Sequence, residues 1–310
     1  MKPSFLRNEP VLLTIQVLAG DSRLYLTLDL LGKGETAQVF SAYSHEQNST
    51  DPQWVIKLAK NPQFNPYIER EYDTVKKLRQ AMLTLSASDA KWSFPLPTVQ
   101  LGVTPDGHKA LIMQPLLRHS LLKTFENINS PLQREKLALD AARQYTFLLQ
   151  ALAQSNLSCL DRKLRDLWWV GSPDAGHLIV TDWNVIEDIP DPTKDLRRFG
   201  LLWFELLIGR QMPHNFQPTR SNFYHIQHRI SYGLWTIIAR SLGSSMGPQF
   251  GPLQELSIML DRLADFYRQH PTDLTEQAKA NFDIAHAQGD RTILDLARMQ
   301  IDIAHRLKTN

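Results

Sequence analysis

Near residue 115 the apolar residues of this chain change their period, and that change limits the folds open to it. Before that point the texture is extended. VLLTIQVL from Val11, RLYLTLDLL from Arg23, QVFSAY from Gln38 and QWVIKLA from Gln53 are rich in β-branched and aromatic residues, with the turn formers Gly20-Asp21-Ser22 between the first two. Residues 67–83 (YIEREYDTVKKLRQAML) carry helical spacing instead, and Leu101–Leu117 returns to extended patterning around Pro105-Asp106-Gly107. An antiparallel sheet with one inserted helix is therefore expected over residues 1–115.

Residues 116–268 read as mostly helical. Ser130-Pro131-Leu132-Gln133 combines an N-cap serine, a proline at the first helical position and a glutamine that closes a capping box, so a long helix is expected to run to about Asn156. The runs LWWV and HLIVTD, joined by GSPDAG, predict a short hairpin. From Asp195 to the stop at Gly209, apolar residues at Leu196, Phe199, Leu202, Trp203, Leu206 and Leu207 predict a helix buried along most of its length. Residues 269–310 predict a helical hairpin in which Asp-Ile-Ala-His occurs at 283–286 and again at 302–305. The repeat is read as a packing pattern that serves the large lobe, a protein partner or a dimer contact, rather than as metal ligation by His286 and His305. The expected fold class is α+β and bilobal: a small β-rich N-lobe with one helix, and a large helical C-lobe, with the site expected in the cleft between them.

Composition narrows the partners. The 34 basic and 32 acidic residues leave a formal charge of +2, without the basic excess of a nucleic-acid groove. The single cysteine, Cys159, has no thiol partner for a disulfide or a zinc cluster, which points to a reducing, cytoplasmic setting. Val11–Gly20 reads as a strand rather than a signal peptide, and no apolar run approaches the roughly 18 residues of a membrane span, so no membrane association is expected.

The chemistry-bearing residues fall in a particular order. LGKGETAQVF, from Leu31 to Phe40, puts Gly32 and Gly34 between two strands, where a backbone without side chains can approach phosphates closely. Lys57 sits amid Val55, Ile56 and Leu58 on the next strand and needs an anion if it turns inward. Glu71, 14 positions on, precedes Val75 and Leu78 on the helix face that can meet that strand. Asp161-Arg162-Lys163-Leu164-Arg165-Asp166 leads into LWWV, and Asp182 ends the following strand 16 positions after Asp166. Taken singly, each has an ordinary structural reading as turn glycine, solvated charge or cap. In this order they are the parts that phosphoryl transfer from ATP requires.

Over residues 24 to about 265 the chain resembles the eukaryotic-type protein kinase-like superfamily. The resemblance implies that Gly32, Gly34, Val39 and Val55 enclose ATP, that Lys57 holds its α and β phosphates, and that Glu71 fixes Lys57. It places Met113 at the gatekeeper position, Gln114 to Leu116 at the hinge, and Trp168 under the adenine, where the family carries a smaller apolar residue. Asp161 matches the catalytic base, Lys163 the lysine that serves the γ-phosphate, Asp166 and Asp182 the Mg²⁺ ligands, and Asp195 the aspartate that braces the catalytic loop. Departures are present: Cys159 for histidine in HRD, Asp166 for asparagine, Asp182-Trp183-Asn184 for DFG, and Ala37 for the third loop glycine. Asp182 and Asp195 are only 13 positions apart, with no APE between them. That short segment, with Asp191-Pro192, is similar to the aminoglycoside and choline kinase branch, whereas Lys163 is similar to serine/threonine kinases. The acceptor hydroxyl, of protein or small molecule, stays open, and so does a pseudokinase that keeps the fold as a binding module.

Overall fold

The computed structural model describes residues 11–18, 23–44, 52, 54–86, 94–114, 119–158, 162–183, 190–213, 215–217, 219–226, 230–243, 250–251 and 253–309. Gly20-Asp21-Ser22, Leu116, Cys159, Asp161 and Asn184 lie outside these. The chain forms two compact units, one of Met1–Arg79, Leu96–Leu117 and Thr181–Asn184, the other of Gln80–Pro95, Arg118–Val180 and Val185–Asn310.

In the first unit β1 (Val11–Val17), β2 (Arg23–Lys33), β3 (Ala37–Ser44), β4 (Trp54–Ala59), β5 (Val99–Val103) and β6 (Lys109–Met113) close into an antiparallel barrel in the order β1-β2-β3-β4-β6-β5. Gln16 against Val103 and Val17 against Gly102 complete the ring. Successive side chains of a strand point to opposite faces. Ile15, Val17, Leu28, Ala42, Ile56, Ala110 and Ile112 accordingly pack together in one buried cluster. Ala37, Ala59 and Leu111 belong to a second, where they meet Ile68 of helix α1 (Asn65–Ser86). The register between β2 and β3 slips at Leu31, which leaves an extra residue just ahead of the glycine-containing turn. Such a bulge bends and twists its strand.

The second unit is helical around one small sheet. It holds α2 (Leu121–Glu126), α3 (Pro131–Gln154), the hairpin β7 (Leu167–Val170) and β8 (His177–Val180), α4 (Pro192–Ile208), α5 (Arg220–Ile226), α6 (Tyr232–Ser241), α7 (Leu253–Phe266), α8 (Pro271–Gln288) and α9 (Arg291–Thr309). Ser130 accepts a hydrogen bond from the Gln133 amide, which supplies the serine half of the expected cap. The expected start of α4 needs correction: Asp191 caps it by accepting from the Lys194 amide at 3.0 Å, and Pro192 is its first residue. Asp195 thus lies within the first turn rather than opening the helix, because Asp-Pro supplies both cap and N1 residue.

Helix α4 is the centre of this unit's core. Phe199 and Trp203 stack at 4.6 Å, Tyr145 of α3 lies 5.3 Å from Trp203, and the Trp203 indole donates to the Ala138 carbonyl at 2.8 Å. Gly200 allows α4 to approach α6, since a β-carbon there would lie 2.8 Å from Leu242 Cγ and 2.9 Å from Ser241 Cβ. Gly200→Ala is therefore expected to lower stability by about 1–3 kcal/mol through overpacking, although alanine is the better helix former, and chemical denaturation would measure it.

Helices α8 and α9 pack on each other, and Gln300 bridges to Asn281 and Gln277 at 2.8 and 3.1 Å. The second Asp-Ile-Ala-His copy has a packing role. Asp302 accepts from the Tyr232 amide at the start of α6, and Ile303 and Ala304 are buried. Arg306 reaches Asp302 and lies 3.9 Å from the fully buried Glu135 at the start of α3. Glu135 also takes the Ser231 amide at 2.8 Å; burial pushes its pKa up, against the pull of Arg306. Among the described residues no helix is long and apolar enough to cross a membrane, and no cluster of His, Cys, Asp and Glu is arranged for a metal ion.

Candidate functional site

The alternation of β4 determines where its lysine points. Trp54, Ile56 and Leu58 pack with the first cluster, so Val55, Lys57 and Ala59 turn to the other face, towards α1. Antiparallel partners share a face, and Lys57 is opposite Val39 on β3 and Leu111 on β6, while Val55 is opposite Met113. One face of the barrel wall thereby gathers Val39, Val55, Lys57 and Met113, with the three apolar side chains half-buried.

On that face Lys57 Nζ lies 2.7 Å from Glu71 Oε2 and 2.9 Å from Asp182 Oδ1. The lysine side chain is 11 % exposed and that of Glu71 2 %. Burial alone would depress the Lys57 pKa, but the two carboxylates outweigh it and hold the pKa above its ordinary value, so the ammonium is charged at any physiological pH. The other Glu71 oxygen, Oε1, accepts the Trp183 amide at 3.0 Å. One carboxylate therefore fixes both the lysine and the peptide that follows Asp182. Asp182 itself adopts a left-handed backbone, with φ of 66°, and its side chain is 46 % exposed. Aspartate tolerates this conformation better than most residues, and such strained positions recur at ligand sites. Trp183, 1 % exposed, anchors the turn next to it.

Gly32 ends the bulged part of β2 and Gly34 begins the turn, where its amide donates to the Ala37 carbonyl at 2.9 Å. A β-carbon on Gly32 would meet nothing within 4 Å, and one on Gly34 only the Ala37 carbonyl at 3.5 Å. The fold does not need glycine at either position. Gln114 follows β6 and is exposed.

In the second unit Lys163 precedes a single tight turn, Leu164–Asp166. Asp166 is buried at 6 % exposure, and its Oδ2 accepts the Lys163 amide at 2.8 Å, so this carboxylate holds the backbone of the turn. Trp168 is half-buried on β7, opposite Ile179 and bridged to Ser120. Asp195 is 4 % exposed on α4, and Arg198, one turn further on, donates through Nη2 to the Arg162 carbonyl. Neither the Trp183 amide nor Arg198 is signalled in the sequence. The first is a backbone group with no residue type of its own, and the second reads as a surface charge on a helix.

No protein-family model matches the chain, and no curated protein matches it in sequence. Solved structures do match. Vaccinia related kinase 3 superposes with a TM-score of 0.54 at 15% identity, over 86% of this chain and 93% of that one. The kinase domain of PknI from Mycobacterium tuberculosis, as a double mutant, gives a TM-score of 0.47 at 13% identity, over 76% and 94%. With its barrel, its one sheet-side helix and its helical second unit, the chain has the protein kinase-like fold.

Proposed function

We propose that this protein is an ATP- and Mg²⁺-dependent phosphotransferase that delivers the γ-phosphoryl group to a hydroxyl, with serine or threonine of a protein favoured over a small alcohol. The observation that carries this reading is the Glu71–Lys57–Asp182 cluster: a buried, permanently charged lysine held between two carboxylates, one of them half-exposed. A structural ion pair needs only one carboxylate. In the proposed roles, Lys57 holds the α and β phosphates, and Gly32 and Gly34 leave the space above their backbone free for them. Val39, Val55 and Met113 offer apolar surface to the base, with Gln114 and Leu116 beside it. Asp161 takes the proton of the acceptor hydroxyl, and Lys163 balances charge on the phosphoryl group in transit.

The Asp182 carboxylate is an oxygen donor of the kind Mg²⁺ takes, and it is exposed enough to reach one; Asp166 is the second proposed ligand. When bound, the ion offsets phosphate charge and orients the transferring group. Purified protein is expected to melt higher with Mg-ATP than with either component alone, because a ligand that binds only the folded state stabilises it. Asp182→Asn is expected to remove most of that rise. An undiminished response in this variant would show that Asp182 is not a ligand.

Asp166 favours a second reading, a pseudokinase. Its carboxylate already caps the turn at Lys163, so it serves the fold whether or not it meets a metal. Trp168 raises a separate question, whether its indole blocks or supports the base. If its indole obstructs the base, Trp168→Leu is expected to tighten ATP binding several-fold, and titration calorimetry would show weaker binding instead if the ring stacks on adenine.

A further inference from the structure

The peptide group that joins Arg162 to Lys163 is held at both of its polar atoms. Its oxygen, the Arg162 carbonyl, accepts from Nη2 of Arg198 on α4. Its N–H, the Lys163 amide, donates to Asp166 Oδ2 at 2.8 Å. A cation thus sits at the negative end of this peptide dipole and a carboxylate at the positive end. Arg198 and Asp166 are each only 6 % exposed, and Arg162 is 1 % exposed. Hydrogen bonds to charged groups are roughly twice as strong as neutral ones, and little water competes for them here. The turn closes on itself as well, since the Asp166 amide donates back to the Lys163 carbonyl at 2.9 Å.

The neighbouring arginine is used differently. Arg197 is half-buried and donates to the Leu242 carbonyl at 2.8 Å and the Phe216 carbonyl at 3.1 Å, which ties α4 to the end of α6 and to the segment before α5. Arg198 commits a buried guanidinium to the Arg162 carbonyl, while its Nε and Nη1 have no partner among the described residues. A guanidinium stays charged when buried, so this is a costly way to hold a fold.

We infer that Arg198 is a positioning residue for phosphoryl transfer, which locks the peptide between Asp161, the proposed base, and Lys163, the proposed partner of the moving phosphoryl group. The Lys163 Cα belongs to the locked peptide plane, and Asp161 lies one peptide further back. Helix α4 is a rigid mount for the lock, because its next residue, Phe199, stacks on Trp203 in the core. A displacement of about 1 Å in a reacting group can cost roughly 10²-fold in rate, so a loose peptide here would be felt in catalysis. The inference rests on the phosphotransferase reading given above.

The test compares Arg198→Leu, Arg198→Lys and a control, Arg197→Lys, in the full chain. The readouts are kcat and KM for Mg-ATP, thermal unfolding, and hydrogen exchange at the Lys163 amide. Arg198→Leu is expected to lower kcat by about 10–100-fold with KM unchanged, and to speed exchange at Lys163, whose peptide is then held from one side only. Arg198→Lys keeps a donor without the planar fork and is expected to fall between this variant and the wild type. Arg197→Lys is expected to melt lower and to keep the wild-type kcat.

An unaltered kcat in Arg198→Leu, whatever its exchange rate, would overturn the inference and leave the phosphotransferase reading standing. An equal loss of rate in Arg197→Lys would overturn it too, by showing that the rate follows a general loosening of α4. Absence of transfer in the wild type would sink the reading itself, and this inference with it. If Arg198→Leu does not fold, Arg198→Lys decides: a lower kcat at unchanged KM supports the role, and a wild-type kcat refutes it.

Discussion

Lys57→Met is expected to melt on the order of 10 °C below the wild type and to show no further rise with Mg-ATP. The stability loss follows from what the substitution leaves behind. Glu71, 2 % exposed, loses its counter-charge in a place from which water is nearly absent, and breaking a buried pair from one side costs about 3–5 kcal/mol. Asp182 adds little to this loss, because its half-exposed carboxylate is screened by solvent. The double variant Lys57→Met/Glu71→Gln removes the stranded charge and keeps an acceptor for the Trp183 amide, so it is expected to recover much of the lost stability. It is not expected to recover the nucleotide response, which needs the ammonium itself. Differential scanning calorimetry of the three proteins, with and without Mg-ATP, separates the two effects. A single variant that melts within about 2 °C of wild type would mean that the pair contributes little to the fold.

Asp161→Asn is expected to remove phosphoryl transfer almost entirely and to leave Mg-ATP affinity nearly unchanged. A general base acts as the hydroxyl proton moves, so its loss lowers the catalytic rate by about 10²–10⁴-fold without weakening ground-state binding. The measurement is ATP turnover or autophosphorylation with Mg²⁺ or Mn²⁺, with protein substrates and small alcohols both offered. Turnover in the wild type no higher than in Asp161→Asn, with both proteins binding nucleotide, would support the pseudokinase instead. Thr193 supplies the only hydroxyl between Asp182 and Asp195, and it sits exposed at the start of α4. Thr193→Ala is expected to leave the rate unaltered.

What the sequence revealed depended on whether a signal is local. The strands of the barrel show in β-branched alternation, and α1 and α3 show in apolar spacing and in the Ser130-Pro131 start. Lys57 and Glu71 meet at 2.7 Å because both follow periods, two on the strand and 3.6 on the helix, that turn them to a common face. The start of α4 falls at Asp191 rather than at the expected Asp195, because Asp191-Pro192 supplies both the cap and the first helical residue. Two features had no local signature at all. Glu71 divides its oxygens between a lysine and a distant backbone amide, and only tertiary packing brings those two together. Arg198 resembles any other helix charge until burial removes its water.

The tie between Arg306 and Glu135 also sets an order in time. The arginine lies 171 positions after the glutamate, and at about 5–20 residues per second a ribosome takes roughly 10–30 s to cover that distance. Until then the first turn of α3 carries a carboxylate whose counter-charge does not yet exist, and sealing it into the finished core is unfavourable. Packing of the helical unit around Glu135 is therefore expected to be completed only when α9 arrives. A chain that ends before Arg306 is expected to be more sensitive to limited proteolysis than the full chain, since Glu135 then lacks this partner.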